Sequence, residues 1–170
     1  MDMTGLRQLV ANLEKNTLPA VLIGGRALAL YGCPGGDRTI ELAVRALDCD
    51  ALLEFFYAQG WRLPVRVEPA TETVDWAADA ATAQQVVTAD GRGGLDFYRP
   101  DEPGAHVLCR MDVPIPFARL RQRAIELGDD GLRAACLDDM LILLEHQERH
   151  GYGSGDEAEQ LAFLRKKKPH

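Results

Sequence analysis

Apolar positions along the chain switch between helical and extended spacing. Leu6, Leu9, Val10 and Leu13 recur at the three- and four-residue interval of one helix face, which predicts an amphipathic helix over residues 4–16, stopped before Pro19. Val21-Leu22-Ile23 is an uninterrupted apolar run of strand character and leads straight into Gly24-Gly25. A short helix is expected over 26–31, then a Gly-rich loop over 32–36 and a second strand, Ile40-Glu41-Leu42-Ala43-Val44. Asp48 or Asp50 can cap a helix over 51–59, whose broad apolar face carries Leu52, Leu53, Phe55 and Phe56 and which Gly60 ends.

The middle of the chain is patterned more weakly. Residues 61–67, 83–88 and 95–98 read as strands, with a glycine turn over 91–94 before the last of them. The Ala-rich stretch 74–81 fits a short helix or an irregular connection, and the two prolines within 110–116 interrupt regular structure. Beyond them a short helix is predicted over 117–123, and the runs 124–127 and 132–135 flank Gly128-Asp129-Asp130-Gly131 as a hairpin would. Two helices close the chain. The first spans 137–150 and is apolar on more than one face, and the second starts at a capping box of Ser154 and Glu157 and runs through Leu161 and Leu164. They are expected to pack together as a helical hairpin.

Composition narrows the field. A chain of 170 residues with 46% hydrophobic and 26% charged residues is enough for one domain with a real core. We expect a single domain over 1–170, with its core at about 17–135 and the closing helices at about 137–166. A net charge of −7 argues against general nucleic-acid binding, which needs clustered cations. The one basic run, Arg165-Lys166-Lys167-Lys168, suits the negative end of a helix dipole. Arg119, Arg121 and Arg123 would spread around a helix surface instead of forming a stripe. Cys33, Cys49, Cys109 and Cys136 lack metal-ligand spacing and read as reduced thiols. No secretory leader and no membrane-length apolar run is present, so a cytoplasmic location and no membrane partner are expected.

The candidate chemistry centres on the first two strands. Glycines at 24 and 25 let the backbone turn sharply and approach a ligand closely, as phosphate sites require, although such a pair also makes an ordinary tight turn. Alternate strand residues share a face, so Glu41 and Ala43 project to the same side, where a pair of metal-binding carboxylates would sit. Glu41 is also compatible with a plain solvent-facing strand residue, Asp96 with a turn or strand-end polar group, and Arg38-Thr39 with a phosphate contact or a simple strand start. His146 and His150 share a helix face at a spacing zinc can use, but the order His-Gln-Glu-Arg-His is not the metalloprotease signature and a further ligand would be needed.

In order, Gly24-Gly25, a short helix, a Gly-rich turn, Arg38-Thr39 and the strand bearing Glu41-Leu42-Ala43 resemble the nucleotidyltransferase superfamily, the fold of DNA polymerase beta and of many small bacterial transferases. The likeness is to the short helix-extended bacterial group. It continues through Pro116-Phe117-Ala118-Arg119-Leu120 and Leu137-Asp138-Asp139-Met140-Leu141-Ile142, and spans most of the chain. The resemblance implies an α+β fold: a nucleotidyltransferase-like mixed β-sheet with packed helices and a C-terminal helical hairpin. It implies a catalytic and metal-binding pair of Glu41 and Asp96, with Asp37 as a partial substitute, and nucleotide contacts from Gly24, Gly25, Arg38 and Thr39. Mg2+ is the implied cofactor and a nucleoside triphosphate the implied ligand.

Two departures alter that expectation. Where the family has Asp-x-Asp, this chain has Glu41 and Ala43, and a lysine often found near the position of Glu145 is absent. Transfer in the family uses two magnesium ions about 4 Å apart between shared carboxylates. Ala43 offers no ligand. The expectation is therefore a catalytically degenerate member that binds a nucleotide or a protein partner, by analogy with family members that act in toxin and antitoxin pairs. The alternative is an active magnesium-dependent enzyme transferring a nucleoside monophosphate to a protein, RNA or small-molecule acceptor.

Overall fold

In the computed structural model, described for residues 1–33, 39–151 and 157–167, helices pack on a six-stranded mixed sheet with a separate two-stranded hairpin at its side. Helix α1, Met3–Lys15, is capped by Asp2, whose carboxylate accepts from the Gly5 N–H at 2.8 Å, and it buries Leu6, Leu9, Val10 and Leu13 as their spacing predicts. Strand β1, Ala20–Ile23, is buried along its whole length. Helix α2, Gly24–Leu30, begins on Gly24 itself, two residues earlier than expected. Strand β2, Ile40–Val44, and helix α3, Cys49–Ala58, follow, the latter after a single 3-10 turn, Ala46–Asp48.

Asp48 does not cap α3 through its side chain. Its carboxylate instead takes two bonds from Arg45, at 2.7 and 2.9 Å. Strand β3 is shorter than the 61–67 run, Pro64–Glu68, because Trp61 leaves the strand to fill the core edge-on to Phe56. The Ala-rich stretch contributes β4, Thr73–Trp76, which pairs with β3 after a turn in which Glu72 takes a positive φ of 53°.

Residues 83–88, expected as a strand, belong to helix α4, Ala80–Asp90. Local signals decide this: Asp79 accepts from the Thr82 N–H at 2.7 Å, Gly91 closes the helix at φ 59°, and the buried Ala83 and Val87 are four residues apart. Strand β5, Gly94–Tyr98, forms as expected, but its partner β6, His106–Arg110, is not foreshadowed by the pattern. Helix α5, Phe117–Arg123, and the two-residue strands β7, Ile125–Glu126, and β8, Arg133–Ala134, then bracket the predicted hairpin turn, tied by Arg7 to Asp130 at 2.8 and 2.9 Å.

Arg121 does not point to open solvent. It donates to the Ala20 carbonyl at 2.9 Å and pairs with Glu14 at 2.6 Å, joining α5 to α1 and β1. Helix α6, Leu137–His150, and helix α7, Glu157–Lys167, pack against each other, with Arg165 donating to Glu145 at 3.1 Å. Ser154 of the expected capping box and Lys168 of the basic run lie outside the described residues. No helix among the described residues is long and apolar enough to cross a membrane.

The strand order is β5-β6-β2-β1-β8-β7. β2 runs antiparallel to β1 and parallel to β6, while β6 runs antiparallel to β5. One face of these strands is core: Ile40, Leu42 and Val44, Val107 and Cys109, and Leu95 and Phe97 are all buried. Phe56 of α3 stacks on Phe97 there, with centroids 4.0 Å apart and planes within 8°. The opposite face carries the polar residues.

Candidate functional site

Residues paired across neighbouring strands point to the same side of a sheet, so the register determines which side chains meet. Glu41 of β2 is opposite Leu108 of β6, and Leu108 is opposite Asp96 of β5. One step along, Ala43 is opposite Arg110, and Arg110 is opposite Gly94. One step the other way, His106 is opposite Tyr98, and the Thr39 hydroxyl lies 3.3 Å from His106 Nδ1. Thr39, Glu41 and Ala43 thus begin three successive rows of one polar face.

Glu41 and Asp96 therefore share a row but stand two strands apart, about 10 Å at the usual strand spacing, with Leu108 between them. Magnesium holds its oxygens at about 2.1 Å, so two ligands of one ion lie within about 4 Å of each other. Within the sheet, the positions beside Glu41 on the side of Asp96 are residue 43 and those of β6. Those positions hold Ala43, Leu108 and Arg110, none of which supplies a carboxylate. Among the described residues no three His, Cys, Asp or Glu side chains come together as a metal site. Among the described residues the sheet does not supply the two-magnesium arrangement, because Glu41 and Asp96 stand two strands apart.

Each carboxylate has other company. Arg110 Nη1 lies 3.9 Å from Glu41 Oε2, and its Nε lies 3.5 Å from Asp112 Oδ1. Asp96 is bound by His106, Nε2 to Oδ1 at 2.8 Å. The Tyr98 ring lies flat on the His106 ring, 4.2 Å away and within 4° of parallel. Arg110 and Glu41 are 18% and 16% exposed, so their charges meet in a partly dry environment where mutual neutralisation matters.

Gly24 is needed for close packing. It has φ +70°, and a Cβ there would fall 2.7 Å from Glu41 Cδ and 2.9 Å from Oε1. The close approach that a glycine permits is used by the carboxyl of Glu41, while Gly25 is buried within α2. Beside Gly24, α6 closes over the sheet. The cavity between Ile23, Gly24, Arg110, Met140, Leu144 and Gln147 is about 20 Å³, room for one water. On the other side of Arg110 lies an open groove of about 320 Å³, lined by Arg92, Gly93, Asp96, Leu108 and Asp112.

No family model matches the chain, and no curated protein matches it. Among solved structures, it is similar to the solution structure of the antibiotic-resistance factor ANT(2'')-Ia, at 14% identity and a TM-score of 0.49 over 98% of this chain and 94% of that one. That likeness assigns no residue a role.

The other candidates fall out as follows. Arg38 and Asp37 lie outside the described residues, and Thr39 contacts His106. The rings of His146 and His150 stack at 4.2 Å, and His150 Nδ1 bonds the His146 carbonyl at 2.9 Å, so that nitrogen is engaged in the helix. All four cysteines are free thiols, and burial pushes the Cys109 thiol far above its ordinary value, leaving it protonated and inert. No local pattern in the sequence points to Arg110, His106 or Tyr98 as members of the site. All three depend on the register of β5 and β6, which no local pattern states.

Proposed function

We propose that this chain is a nucleotidyltransferase-like protein that has lost two-metal transfer and serves as a binding module for a nucleotide or a protein partner. The observation that carries the reading is the place of Arg110: it stands opposite Ala43 on the strand next to β2, with its guanidinium 3.9 Å from Glu41. A fixed cation there neutralises Glu41 and takes up space beside it that a divalent ion would need. The order of motifs from Gly24-Gly25 to Glu41 supports the family assignment, and the mixed sheet with helices on it is compatible with it. A nucleotide would enter by the groove beside Arg110, since the cavity under α6 has room for one water and nothing larger. Arg110 and Arg92 would face its phosphates in place of magnesium. A protein partner, as in the toxin and antitoxin pairs of the resembled group, would use the same module without chemistry.

The test is incubation of the full chain with each labelled nucleoside triphosphate, in magnesium and in manganese, with the chain itself and a cell extract as acceptors. The reading expects no transferred label. Transfer that requires the metal and disappears on Glu41→Ala would overturn it in favour of the active enzyme.

A further inference from the structure

Thr39, His106 and Asp96 form a continuous polar chain that the binding reading does not use. Thr39 Oγ1 is 3.3 Å from His106 Nδ1, and His106 Nε2 is 2.8 Å from Asp96 Oδ1. An ionised carboxylate can only accept, so Asp96 fixes the neutral imidazole as the Nε2–H tautomer. The lone pair is then on Nδ1, directed at the Thr39 hydroxyl. Tyr98 holds the ring plane from one side by stacking at 4.2 Å. Hydroxyl, imidazole and carboxylate in that sequence are the parts that turn an alcohol into a nucleophile, recognised by geometry and not by order in the chain.

We propose that Thr39 is the nucleophile of an acyl-transfer site whose substrate is an activated ester. Thr39 Oγ attacks the ester carbonyl carbon, and its proton passes to His106 Nδ1. The bond from that carbon to the leaving oxygen then breaks, and the leaving alcohol departs with the proton from His106. The products are an acyl ester on Thr39 and a free alcohol, so atoms and electrons balance without a metal or a redox partner. Asp96 is a positioning residue, acting through the imidazole. Thr39 is half-buried, His106 is 21% exposed, and Asp96, 41% exposed, lines the neighbouring groove of about 320 Å³. Neither Glu41 nor Arg110 takes part, so this site stands or falls apart from the nucleotide reading.

The experiment uses the full chain and p-nitrophenyl acetate, following nitrophenolate release together with the intact mass and the acetylated peptide. One acetyl group per chain, located on Thr39, is expected. Thr39→Ala should abolish that label, Thr39→Ser should keep it, and His106→Gln should slow it about 100-fold, the usual contribution of a positioned general base. Asp96→Asn should slow it as well while a circular dichroism spectrum shows the fold retained. Absence of label on Thr39 in the unsubstituted chain, or label confined to lysines and the N-terminus, would overturn the proposal. So would an unchanged rate in His106→Gln.

Discussion

Arg110 on β6 stands opposite Ala43 on β2, and its guanidinium reaches to 3.9 Å from Glu41, two residues before that alanine. A parallel pairing brings these residues into register although 67 positions separate Ala43 from Arg110 in the chain. Residue 43 supplies no carboxylate, and the cation opposite it lies beside Glu41. The acid Glu41 is compensated by protein.

The contact between Gly24 and Glu41 makes their substitutions non-additive. Gly24→Ala places a methyl 2.7 Å from Glu41 Cδ at a φ of +70°. Overpacking and left-handed strain together should cost about 2–4 kcal/mol, read as a lower urea midpoint. In Glu41→Ala the same Gly24→Ala change should cost about half as much, because only the backbone strain remains. Equal costs in both backgrounds would show that the carboxyl does not press on Gly24.

A buried acid ties α5 to α6. Asp139 is fully buried and its Oδ1 lies 3.0 Å from Arg123 Nη1, a charge contact whose alignment is too poor to count as a hydrogen bond. Arg123→Ala should leave that charge uncompensated and cost about 3 kcal/mol in urea unfolding. Asp139→Leu in the Arg123→Ala background should recover much of the loss, as apolar replacement of a broken buried pair does.

Tyr31 should make stability fall in alkali. Its hydroxyl donates to the Ala135 carbonyl at 2.7 Å, and burial first, then the nearby Cys136 and Asp139, push its pKa from 10.0 up to about 12. The folded chain holds this proton more tightly than the unfolded one. The contribution is therefore complete below pH 10 and is lost as the pH rises from 10 to about 12. Tyr31→Phe should lose about 1 kcal/mol at neutral pH and remove this part of the alkaline slope, measured by denaturant midpoints across the range.

Elements with strong local signals were legible in the sequence. The 3.6-residue spacing of Leu6, Leu9, Val10 and Leu13, the apolar run of β1 and the Gly-Asp-Asp-Gly turn each carry their structure within a few residues. The middle segment misleads because its evidence is mixed: Val86-Val87-Thr88 has β-branched character, yet the Asp79 cap and Gly91 stop make it helical. β6 carries no clear strand pattern because His106 and Arg110 at its ends are polar and prolines follow closely. The polar face was half legible. Alternation puts Glu41 and Ala43 on one face, but that Arg110 stands beside them and that Asp96 belongs with His106 follow from strand register, a long-range property.

The most direct test of the central claim is isothermal titration of the full chain with ATP, GTP, CTP and UTP, each in magnesium and in a chelator. Any nucleotide that binds should do so with the same affinity in both, and Arg110→Ala should weaken it about tenfold, the loss of one charge-assisted contact. Binding that needs magnesium and is lost on Glu41→Ala would contradict the account, because it would mean that this face still assembles a metal site.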